Sequence, residues 1–118
     1  MSDKLESLLT HIHEDASDII QMVTHVESFE CFLKNMPIRK AIIMSLLNIG
    51  EMVNRLPEEY VLAHRTIPWR SIVNLRNLAA HGYHVLNYDS IWQICQSSVP
   101  ELLEFLETQM EAYKAIGP

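Results

Sequence analysis

The chain has 118 residues, 48% of them apolar and 20% charged, with a formal net charge of −6. That length fits a single domain spanning residues 1–118 with a core of its own, and the acidic balance argues against non-specific nucleic-acid binding by the whole surface. No apolar run reaches the roughly 18 residues of a membrane span; the stretch from Ala41 to Leu47 comes nearest and falls far short.

Residues 3–25 read as an amphipathic helix, because Leu5, Leu8, Leu9, Ile12, Ala16, Ile19, Ile20 and Val23 recur at spacings of three and four. His11 and His13 are two apart and point to different sides of that helix; with His25 they read as surface or boundary residues. Ser28 is placed to cap a short helix from Phe29 to Lys34 that buries Phe29, Phe32 and Leu33. Asn35-Met36-Pro37 marks a break and a restart, since proline suits a first helical turn, where its missing N–H would be unpaired anyway.

The next helix is expected from about Pro37 to Leu56, with Ile38, Ala41, Ile42, Ser45, Leu46, Ile49, Val53 and Leu56 as its buried face. Met44, Leu47 and Met52 widen that stripe, the pattern of a helix that is central or packed on two sides, and hint at a dimer. Pro57 ends it, Glu58 to Ala63 is one further turn, and Pro68 opens a helix that closes near His81, with Gly82 as its stop. After a loop from Tyr83 to Tyr88, Asn87 or Asp89 caps a last helix from Ser90 to about Ala115, which Pro100 should kink. Strand signals are absent. The expectation is an all-α, up-and-down four- to five-helix bundle.

The charge is unevenly placed. Residues 34–83 hold seven Lys and Arg against three acids, and the remainder holds two against twelve, so an anionic ligand is expected at the middle of the chain. Lys34, Arg39 and Lys40 read as solvated helix faces. The N-terminus lacks the apolar core of a signal peptide, and Cys31 and Cys95 are isolated, which reads as reduced thiols in a cytoplasmic protein.

Chemistry concentrates in Arg76-Asn77-Leu78-Ala79-Ala80-His81-Gly82-Tyr83. The residues allow a plain reading, in which Arg76 and His81 offset the negative end of a helix dipole and Gly82 only stops the helix. They also allow a functional one. Asn77 and His81 are four apart and share a face, whereas Arg76 and His81 are five apart, roughly 140° around an ideal helix. The latter two converge more easily across a twofold axis, so a site built from them would be shared between two chains. In such a cleft His81 could take the proton of a ribose 2′-hydroxyl or give one to the leaving oxygen. Arg76 could stabilise the charge that grows on the scissile phosphate, with Asn77 orienting either group. A metal site is weaker: His81 and His84 are three apart, but Gly82 separates them and no further ligand stands nearby. No G-x-S-x-G or glycine-rich phosphate loop is present.

The stretch resembles the Arg-x4-His-x-Tyr motif of the HepT-like toxins within the HEPN superfamily. Leu47-Asn48-Ile49-Gly50-Glu51, Ile67-Pro68-Trp69-Arg70, Tyr88 to Trp92 and Val99-Pro100-Glu101-Leu102 are similar to further family segments in the same order. Ala79-Ala80 departs from the bulky aliphatic residue that the family often has before its motif histidine. The resemblance implies a helical homodimer, open to higher assembly, with a metal-independent, cofactor-free endoribonuclease site at its interface. It implies a type VII toxin–antitoxin pair whose partner, an MntA-like nucleotidyltransferase, silences the toxin by moving AMP from ATP to the motif tyrosine. By position Arg76 and His81 become the catalytic pair, Asn77 the polar helper, Tyr83 the AMP acceptor and Glu51 a supporting residue. Two rivals stand beside this expectation: a non-catalytic module that docks a nucleotidyltransferase, and a purely structural helical dimer.

Overall fold

The computed structural model describes residues 3–81 and 87–116. Helix α1 runs over Asp3–Val26, α2 over Phe29–Lys34, α3 over Met36–Asn54, α4 over Glu58–Ala63 and α5 over Trp69–His81. After residue 87 come α6, Tyr88–Gln93, one π-helical stretch, Ile94–Ser98, and α7, Val99–Ile116. No strand occurs among the described residues, so the all-α expectation holds.

The boundaries follow local chemistry. Ser28 caps α2, its hydroxyl accepting from the Cys31 N–H at 3.1 Å. Asn35 serves two helices: its N–H donates to the Phe32 carbonyl at the end of α2, and its side chain accepts from the Ile38 N–H at the start of α3. Pro37 lies in the first turn of α3. Asn87, of the two expected candidates, caps α6 through the Ser90 N–H. Helix α1 closes on Glu27, a non-glycine residue at φ 68° whose N–H donates to the Val23 carbonyl.

The kink expected at Pro100 takes the form of the π-helical stretch just before it, where the Val99 N–H reaches back five residues to the Ile94 carbonyl. A proline ring clashes with the carbonyl four residues earlier, and one widened turn removes the conflict. The rod still buries Ile91, Cys95, Val99, Leu102 and Leu106 along one side.

Helix α3 packs on α5 and on α1, and α1 packs on α7. Leu9, Ile12, Ala16 and Ile19 of α1 meet Ile42, Leu46, Ile49 and Val53 of α3 in one cluster of buried side chains. Two expectations about burial need correction, those for Ala41 and Leu33. Ala41 is exposed, and Ile43 takes its place in the core. Leu33 remains 41% exposed, because α2 is short and seats only Phe32 fully. Of the widened stripe of α3, Leu47 and Met52 are partly buried against the core, whereas Met44 is 58% exposed.

Candidate active site

Helix α5 is fixed at its start by Trp69. The indole N–H donates to the His64 carbonyl at 2.9 Å, and the buried ring meets Phe105 edge-on with centroids 5.7 Å apart. Tyr60 and His64 complete this aromatic clamp, their rings 4.4 Å apart. A second clamp stands beyond the site stretch, where Tyr88 and Trp92 of α6 pack on Phe32 at 6.3 and 5.2 Å. Arg39 belongs to it: its guanidinium lies 5.0 Å from the Tyr88 ring centre and donates to the Phe32 and Leu33 carbonyls at the end of α2. Lys34 and Lys40 are exposed as expected, whereas Arg39 does structural work that a solvated helix face would not.

Midway along α5 the two central helices nearly touch. A Cβ added to Gly50 would lie 3.0 Å from both Cβ and the backbone N of Arg76, and 3.2 Å from the Ile72 carbonyl. Glycine inside a helix costs about 0.5–1 kcal/mol relative to alanine; here it allows the close crossing of α3 and α5. The next residue, Glu51, places Oε1 3.5 Å from Nε of Arg76, and the two side chains keep 41% and 31% exposure. Glu51 therefore pairs with an arginine of a following helix.

Asn77 follows Arg76 and is exposed. His81 is the last residue of α5. The helix continues through that residue, so the 140° offset between positions 76 and 81 estimated from ideal geometry applies to the backbone. The side chains of residues 78–81, and Gly82, Tyr83 and His84 entirely, lie outside the described residues. The structure thus joins Arg76 to Glu51, sets Asn77 and His81 on the same helix, and leaves Tyr83 untested.

Two features of the site were not read from the sequence. One is the close approach at Gly50, for which an isolated glycine in a helical pattern was the available signal. The other is an open cavity of about 440 Å³ beside Glu51, lined by His11, Glu14, Asp15, Asn48 and Arg55 among others. Within it the Asp15 carboxyl titrates above its usual range, first because burial disfavours the charge and then because Asp18 and Glu14 repel it, against a smaller opposing effect of His11. Among the described residues no three His, Cys, Asp or Glu side chains stand close enough to share a metal ion.

Arg76, partly exposed, and His81, at the helix end, thus lie on one helix of an all-α bundle. The Ribonuclease HepT-like family profile matches residues 12–109, and the chain belongs to that family. It is 36% identical over 103 residues to "Putative RNase MJ0127" of Methanocaldococcus jannaschii, covering 87% of this chain and 84% of that protein. It is also 36% identical over 94 residues to "Putative RNase TTE0752" of Caldanaerobacter subterraneus subsp. tengcongensis, covering 80% and 83%. With "Probable ribonuclease HepT" of Thermococcus cleftensis it shares 28% identity over 88 residues, covering 75% and 80%. No solved structure gives a significant match.

Proposed function

We propose that the protein is a metal-independent endoribonuclease toxin, formed from a single HEPN-like domain over residues 1–118 and working as a homodimer in the cytoplasm. The observation that carries this reading is Arg76 held half-exposed on α5, the helix that also carries Asn77 and ends at His81. Family membership and the ribonuclease names of the relatives support the substrate class, RNA.

The chemistry follows from the residue types. One His81 imidazole takes the proton from a ribose 2′-hydroxyl, the 2′-oxygen attacks phosphorus, and the 5′-oxygen leaves with a proton from the His81 of the second copy. Arg76 stabilises the extra negative charge on the phosphoryl oxygens, and Asn77 orients the reacting groups. No cofactor is required for these steps. The 140° offset supports a site completed by a second chain, and so do Met36 and Met44 of α3, which the described residues leave 53% and 58% exposed. No helix among the described residues is long and apolar enough to cross a membrane.

Regulation falls to Tyr83. AMP transferred there by a nucleotidyltransferase antitoxin would set a bulky anion close in sequence to Arg76 and compete for the cation that binds the RNA phosphate. Wild type, His81→Ala and Arg76→Ala are expressed side by side, with growth and RNA cleavage measured. The wild type arrests growth and cleaves RNA, and both variants do neither. Equal toxicity of all three sinks the assignment, and intact partner binding without cleavage by the unmodified wild type selects the docking-module reading. Incubation with the cognate transferase and ATP adds the mass of AMP to wild type and not to Tyr83→Phe.

A further inference from the structure

Glu51 meets Arg76 in a particular way. The ion pair is made at Nε, on the inner edge of the guanidinium, which stands 3.5 Å from Glu51 Oε1. A guanidinium offers an anion two faces, side-on through Nε and one terminal nitrogen, or end-on through both terminal nitrogens. With Glu51 on the Nε side, the end-on fork is the face left for a phosphate.

Stability does not account for the pair. Both side chains are more than 30% exposed, and exposed ion pairs contribute little to folding. Nor does Glu51 simply take its local partner. Arg55 lies four residues on, at the spacing that favours a Glu–Arg pair within one helix, and it lines the same cavity as Glu51. Among the described residues, however, the only arginine–carboxylate ion pair is the one between Glu51 and Arg76. Glu14 and Asp15 line that cavity too, and their negative charge opposes a swing of Glu51 away from α5. Gly50 supplies the remaining condition, because the crossing it permits brings the Arg76 backbone within reach of its neighbour.

We propose that Glu51 is a positioning residue for Arg76: it tethers Nε and so turns the terminal fork of the guanidinium toward the scissile phosphate, with Gly50 setting the distance between the two helices. This role rests on the ribonuclease reading above. Glu51 does not touch the substrate, and its effect on the reaction passes through Arg76.

The test uses the full chain and steady-state cleavage of an RNA oligonucleotide by wild type, Glu51→Ala, Glu51→Gln, Arg76→Ala and the Glu51→Ala/Arg76→Ala double variant. A misdirected guanidinium lowers kcat, so Glu51→Ala loses about tenfold or more in kcat with KM changed less than about twofold. Glu51→Gln keeps an oxygen beside Nε but loses the charge, and falls between the two. In the Arg76→Ala background, removal of Glu51 costs nothing more. The role is overturned if Glu51→Ala is as active as wild type while Arg76→Ala is inactive. It is also overturned if the loss is the same in both backgrounds, or if KM falls with kcat unchanged, as for a carboxylate that merely competes with RNA. A wild type that leaves RNA intact overturns the ribonuclease reading instead. The tether is then read by NMR from the Arg76 Nε–H signal, assigned by its loss in Arg76→Lys. Slow hydrogen exchange in wild type and Glu51→Gln, with fast exchange in Glu51→Ala, shows the tether; fast exchange in all three removes it.

Discussion

Two residues outside the site helix carry local penalties. Glu27 occupies the left-handed region at φ 68°, where a side chain costs about 1–2 kcal/mol and glycine costs nothing. Part of that gain is lost to the greater freedom of glycine in the unfolded chain. Glu27→Gly is therefore expected to raise stability by up to about 1 kcal/mol in urea denaturation; unchanged or lower stability would show that the Glu27 side chain makes a compensating contact. Asp15 is the second case. Burial and its acidic neighbours raise its folded pKa above the ordinary 3.8, so folding favours the protonated form. Its contribution is fully present below the unfolded value and is lost as pH rises through the folded one. Asp15→Asn should raise Tm at about pH 7 and bring no gain at about pH 3. Neither penalty was legible in the sequence, since the conformation of Glu27 depends on how α1 meets α2, and the environment of Asp15 on how α1 lies against α3.

At the scale of elements, the crossing of α3 and α5 sets the site. Alanine in place of Gly50 gains about 1 kcal/mol of helix propensity, but its Cβ meets the Arg76 Cβ and backbone at 3.0 Å. Overpacking of this kind costs typically 1–3 kcal/mol, and the obstacle includes main chain that cannot rotate aside. Gly50→Ala is expected to lower Tm and to weaken RNA cleavage further than its stability loss explains; a variant more stable and equally active would mean that the helices separate freely. The helices themselves were largely legible. Asn35, Pro37, Pro57 and Asn87 punctuate the chain where the caps and breaks are found, because capping chemistry is local. What periodicity could not read is which side of a broad apolar stripe faces inward. Ala41 and Ile43 show this: Ala41, counted on the inward face, is exposed, and Ile43 is buried. Of the candidate site, the pairing of Glu51 with an Arg of the following helix was legible, but not the helix contact that brings the pair together.

The whole molecule couples its core to alkaline pH. Burial pushes the Cys95 thiol from 9.0 and the Tyr60 phenol from 10.0 up to about 12. In the unfolded chain both lose their protons earlier, so stability should fall from about pH 9 upward, each group adding a slope of at most about 1.4 kcal/mol per pH unit. Cys95→Ala should flatten the first part of that decline, as followed by thermal melts across pH. At the opposite end of the energy scale, the exposed methionines of α3, Met36 and Met44, bear on assembly. If they line the dimer contact, Met44→Glu converts dimer to monomer in sedimentation and abolishes cleavage, while leaving the helical circular dichroism unchanged.

The two aromatic clamps have a practical consequence. The chain has two tryptophans, and one stands in each clamp: Trp69 at the entry of α5 and Trp92 just beyond the stretch that follows it. Trp69 is buried and Trp92 half-buried, so their emission spectra should differ. Single-tryptophan variants, Trp69→Phe and Trp92→Phe, would then make the protein its own optical probe, each reporting one end of the candidate site segment. Titration with RNA or treatment with a transferase could be followed at either end without an attached dye.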